Sequence, residues 1–78
     1  MADEVEKLFS AVLRLPVEGL NDAVSPDNTP RWDSVSAIDL ALAIEDTFNI
    51  RLTTREITSM RTIGLVKKVL RAKGVANV

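Results

Sequence analysis

Three of the usual reactive side chains are missing from this 78-residue chain, which holds no Cys, no His and no Tyr. Without His it lacks the commonest general base near neutral pH and the metal ligand most soluble enzymes use. Without Cys it has no thiolate nucleophile, no disulfide and no Cys-based zinc site. Among the hydroxyl residues one Ser stands out by its place. Ser34 follows Asp33 where a turn-rich stretch gives way to a run free of Gly and Pro. A Ser at such a boundary can cap the exposed amides of a helix N-terminus. A serine hydrolase is excluded, because no His completes a triad and no Gly-x-Ser-x-Gly elbow surrounds Ser34. The missing side chains argue against an autonomous enzyme.

The elements that must position Ser34 can be read from apolar spacing. Val5, Leu8, Phe9 and Val12 recur at i, i+3, i+4 and i+7 and predict a first helix over residues 3–14, ended by Pro16. Pro16, Gly19, Asn21, Asp22, Pro26, Asn28 and Pro30 then populate residues 16–33, a long first loop whose length suggests a role. Asp33 or Ser34 caps a second helix over residues 34–48, with Ala37, Leu40, Ala41, Ile44 and Phe48 on its core face. Val35, Ile38 and Leu42 lie on a neighbouring face, so this helix is apolar over more of its circumference than a surface helix needs. These three either pack under the long loop or serve an interface. Thr53-Thr54-Arg55-Glu56 has the form of a capping box and opens a short third helix reaching Met60. Thr62 caps a fourth with the stripe Ile63, Val66, Val69 and Leu70, stopped by Gly74.

The expected fold class is thus all-α: a four-helix bundle with three long helices, one short third helix and a long first loop. A chain of 78 residues has the scale of one small domain, and 46% apolar with 27% charged residues suits a folded globule. Trp32 is expected to anchor the loop end onto the bundle.

Read from Trp32, the run Trp32-Asp33-Ser34-Val35-Ser36-Ala37-Ile38-Asp39-Leu40 and its ending Glu45-Asp46-Thr47-Phe48-Asn49-Ile50 resembles the signature of acyl carrier proteins. In that family an Asp-Ser-Leu triplet opens the second helix and Glu-x-x-Phe-x-Ile closes it. The likeness runs on through Leu70 and covers nearly the whole chain. The resemblance implies that Ser34 carries a covalent 4'-phosphopantetheine arm, moved from coenzyme A by a phosphopantetheinyl transferase. It implies that the arm's thiol holds the substrate as a thioester, so the chemistry belongs to partner enzymes: an acyl- or aminoacyl-loading ligase, and pathway synthases or transferases. It also implies that the second helix is the recognition helix, with Val35, Ile38 and Leu42 as apolar contacts and Asp33, Asp39, Glu45 and Asp46 as acids facing partners. Asp33, beside the phosphate, is better suited to capping or to contacts with the transferase than to holding the phosphate itself. No metal site, no nucleic acid and no membrane are expected, and the chain is read as a monomeric, free-standing, cytoplasmic carrier. Its N-terminus is acidic where a secretory signal is basic, and no run reaches the roughly 20 apolar residues of a membrane span.

Two features depart from the family pattern. Val35 stands where Leu is usual, and Arg51 and Arg55 stand where acids are frequent. They belong to a wider asymmetry. Residues 1–48 hold ten acids against three bases, and residues 49–78 hold seven bases against one acid. Such a field steers encounters, and it favours a dedicated pathway over bulk fatty-acid synthesis. An aminoacyl or peptidyl carrier would share the same fold and arm. A helix-turn-helix DNA-binding domain fits the basic C-terminal half, but the longest helix is acidic where a nucleic-acid reader presents basic and polar side chains.

Overall fold

The computed structural model describes residues 4–75 and 78. Helix α1 spans Glu4–Leu13, α2 Ser34–Phe48, α3 Thr54–Ser59 and α4 Ile63–Ala72, with a single 3-10 turn at Val17–Gly19 inside the first loop. The architecture is the expected all-helical one, three long helices and a short third. Asp3, with which the sequence reading begins α1, lies outside the described residues.

The starts of α2, α3 and α4 each follow from a side chain that satisfies free amides. Asp33 accepts from the Ser36 amide at 2.9 Å and caps α2. Thr53 and Glu56 form the reciprocal capping box of α3, with bonds of 3.1 and 2.9 Å. Thr62 accepts from the Leu65 amide at 3.0 Å and caps α4. The three long helices also end alike. Arg14, Asn49 and Gly74 take positive φ values of 57°, 54° and 88°, and the amide after each donates back across the last turn: Leu15 to Ser10, Ile50 to Glu45 and Val75 to Leu70. This is the left-handed stop that satisfies orphan carbonyls. Helix α1 accordingly ends at Leu13, ahead of Pro16, because Arg14 turns the chain.

The core gathers Val5, Phe9, Ile44, Ile63, Val66 and Leu70, each essentially solvent-free, with Leu13, Leu40 and Trp32 beside them. Burying each such side chain contributes about 1.5–3 kcal/mol. Helix α1 packs against both α2 and α4. The long first loop is part of this core, since Leu20, Val24 and Trp32 are buried. Its backbone is bonded to α4: the Ile63 amide donates to the Val24 carbonyl and the Gly64 amide to the Asp22 carbonyl, both at 3.1 Å. Those are first-turn amides that no intrahelical carbonyl can reach, so the loop completes the start of α4.

Lys67 departs from the sequence pattern. Placed within a basic half, it is 7% exposed, and its Nζ lies 3.3 Å from Glu6 Oε2 on α1 and 2.5 Å from Asp22 Oδ1 in the first loop. Its four-carbon stem covers apolar core while its charge finds partners at the edge. The bipolar charge of the sequence is thereby partly cancelled in the fold: among the described residues Lys67 pairs with Glu6 and Asp22 of the N-terminal half, and Arg61 with Asp27 of the first loop.

Candidate functional site around Ser34

Ser34 is the first residue of α2 and is exposed. Its hydroxyl makes no hydrogen bond among the described residues, because the cap is supplied by its neighbour. Asp33 takes that role, and the bond from the Ser36 amide, helped by the Val35 amide, holds its carboxyl below the usual aspartate range. Of the two capping candidates, Asp33 is the cap and Ser34 is left available.

The approach to Ser34 is rigid. Trp32 is 4% exposed and meets Phe9 of α1 edge to face, with ring centroids 4.9 Å apart. Its amide donates to the Thr29 carbonyl at 2.9 Å. The Ser36 hydroxyl reaches back to the Arg31 carbonyl at 2.6 Å, so Asp33 and Ser36 together staple the loop end to the first turn of α2. Ser36 was not singled out by the sequence. A hydroxyl two residues after Ser34 is common in any helix start, and only the fold shows which carbonyl it meets.

Val35, Ile38 and Leu42 are 68%, 62% and 59% exposed, so packing beneath the first loop is ruled out for all three. With Asp39, also exposed, they occupy positions i, i+3, i+4 and i+7 of α2 and form one stripe leading away from Ser34. Asp46 is exposed one turn beyond Leu42. Glu45 differs from the other acids: it is half-buried, and its Oε2 accepts from the Leu52 amide at 2.8 Å. It thus ties the α2–α3 connection to α2.

Beside Ser34 an open groove of about 490 Å³ runs between α2 and the α3 region. Trp32, Ala37, Ile38, Ile57 and Met60 form its apolar walls, and Ser34, Thr58 and Arg61 supply polar atoms. Trp32, Ala37, Ile57 and Met60 also line an interior cavity of about 20 Å³ above Phe9 and Ile44, about the space of one water. Ile57, Met60 and Arg61 were missed as site residues, because their spacing carries no signal until α3 is folded against α2.

The exposed Ser34 hydroxyl thus stands on a stapled helix start, with an apolar stripe on one side and a groove on the other. Residues 3–70 match the model of a protein family described as "Phosphopantetheine attachment site". The chain belongs to that family. As a phosphopantetheine-carrying carrier protein it provides the site of covalent 4'-phosphopantetheine attachment. Such carrier domains move cargo between enzymes and are not themselves catalysts, and they meet phosphopantetheinyl transferases and pathway enzymes as partners. A search of curated proteins finds none that matches this carrier. The sequence resemblance to acyl carrier proteins thus agrees with the family, and the four-helix architecture agrees with both. Among the described residues of the carrier no group of His, Cys, Asp and Glu is arranged to hold a metal ion, and no helix is long and apolar enough to cross a membrane.

Proposed function

We propose that Ser34 is the attachment residue, and that this chain, as a single carrier domain, holds its cargo as a thioester on the arm. The observation that carries the assignment is the division of labour at the start of α2: Asp33 caps the helix, and the adjoining Ser34 hydroxyl stays exposed and unbonded among the described residues. In the loading step Ser34 Oγ attacks the pantetheine-bearing phosphorus of coenzyme A. A new O–P bond forms, the pyrophosphate O–P bond breaks, the adenosine bisphosphate leaves, and the hydroxyl proton passes to a base on the transferase. The carrier contributes position only. The arm then supplies the thiol the sequence lacks.

Val35, Ile38, Leu42, Asp39 and Asp46 form the face that partner enzymes read, with Asp33 at its Ser34 end. Three large apolar side chains side by side in solvent support this reading. Glu45 contributes to it indirectly, by fixing the end of α2. The basic residues Arg51 and Arg55, both exposed, support a dedicated pathway whose enzymes read an acidic helix beside a basic surface. The cargo in this reading is an acyl group delivered by a loading ligase to synthases or transferases.

The experiment is co-expression with a broad-specificity transferase followed by intact-mass measurement. The wild-type chain gains one phosphopantetheinyl group and Ser34→Ala gains none. A wild-type chain that stays unmodified while a control carrier is converted refutes the assignment.

A further inference from the structure

Part of the anion seat that a helix N-terminus usually offers is already taken at α2. Amides of a first turn attract negative charge, but here the Asp33 carboxylate takes the Ser36 amide at 2.9 Å and is held in its charged form by that turn. A phosphodiester placed on Ser34, as in the function proposed above on which this inference rests, would therefore sit beside a fixed negative charge. It needs a cation from another element.

Arg61 is the cation in place to supply it. Among the described residues lining the groove beside Ser34, it alone carries charge. It follows α3 in the chain and lines the groove together with Pro26 of the first loop. Its existing partner holds it loosely: the Arg61 guanidinium nitrogen lies 4.0 Å from Asp27 Oδ1, with side-chain exposures of 63% and 86%. That separation exceeds the about 2.7–3.2 Å of an N–H···O hydrogen bond, and exposed pairs of this kind contribute about 0–1 kcal/mol. Exchanging Asp27 for a phosphate costs little, and the planar fork of Arg matches phosphate oxygens in pairs. The other base near Ser34 in the chain, Arg31, does not line the groove and enters the site through its backbone carbonyl alone.

We propose that Arg61 is a positioning residue that binds the arm's phosphodiester across the groove mouth, leaving Asp27 when the arm is attached. The contact turns the proximal arm toward the α2–α3 groove, away from the exposed stripe of Val35, Ile38 and Leu42.

The test uses the full chain converted to the holo form with coenzyme A, observed by the phosphorus resonance of the arm and by the side-chain Nε–H resonance of Arg61. On conversion the Arg61 signal shifts in the wild type. Arg61→Gln displaces the phosphorus resonance, Arg61→Lys displaces it less, and Arg31→Gln leaves it in place. Raising salt moves the wild-type phosphorus signal toward that of Arg61→Gln, as expected for a contact at the solvent boundary. Equal phosphorus resonances in wild type and Arg61→Gln overturn the contact while leaving the carrier function intact. A response to Arg61→Gln that is absent from the bare holo-protein and arises only with a carboxylate-bearing cargo also overturns it, in favour of the cargo. A wild-type chain that gains no phosphopantetheinyl mass overturns both the contact and the function it rests on.

Discussion

Replacing Lys67 by Met tests how the first loop is held to the bundle. The substitution keeps an unbranched apolar stem and removes the charge that joins α4 to Glu6 of α1 and Asp22 of the loop. Breaking a buried ion pair from one side costs about 3–5 kcal/mol when the stranded charge stays dry. Here the two acids differ. Asp22 has 63% of its side chain in solvent and rehydrates, whereas Glu6 has only 18%. The expected loss is therefore below that range, about 2–3 kcal/mol, close to the value of hydrogen bonds to charged groups. A chain of this size has a total stability of about 4–12 kcal/mol, so the midpoint of thermal unfolding should fall by roughly 10–20 °C. The assay is urea unfolding of wild type, Lys67→Met, Glu6→Gln, Asp22→Asn and the Glu6→Gln/Lys67→Met pair. Glu6 and Lys67 should be coupled by at least about 1 kcal/mol, and Asp22→Asn should cost the least. A Lys67→Met loss under about 1 kcal/mol, or additive effects of the Glu6 and Lys67 changes, would refute the claim that this cluster clasps the molecule.

Other outcomes follow from single observations. Arg14→Gly should raise stability by about 1 kcal/mol in thermal unfolding, because Arg14 sits at φ 57°, where a Cβ is strained and Gly is not. Asp33→Asn should lower the unfolding midpoint, with a marked pH signature. The Asp33 carboxyl titrates below its ordinary 3.8 in the folded chain, so its contribution is complete above that value and is lost as pH falls through the depressed pKa. Wild type and Asp33→Asn should accordingly converge as pH falls below 3.8, as measured by melting across a pH series. Reversing the charge of Asp39 or Asp46 should slow transferase loading, measured as holo conversion against time, more than reversing Glu18 in the first loop does. Glu45→Gln should act on the fold, loosening the α2–α3 connection through the Leu52 amide, as seen in faster amide exchange of Leu52.

The number, order and kind of helices could be read in the sequence because each carries local information. Apolar residues recur at helical spacing, Thr53 and Glu56 spell a capping box, and Gly74 stops α4. The absence of Cys, His and Tyr argued against an autonomous enzyme, and the resemblance carried by the run from Trp32 to Ile50 pointed to Ser34. Only the folded chain divided the labour within that run. Whether Asp33 or Ser34 caps α2 depends on a backbone angle and a 2.9 Å bond, and neither is encoded in residue type. The apolar excess of α2 could not be assigned from spacing, since a stripe reads the same whether it meets a loop or solvent. The packing of α1 and α4 left Val35, Ile38 and Leu42 outside. Lys67 and Arg61 look alike in a list of basic residues, yet one is drawn into the core edge by acids 61 and 45 residues away and the other faces the groove beside Ser34. Such long-range pairings depend on where helices come to rest against each other, and tertiary packing decides that.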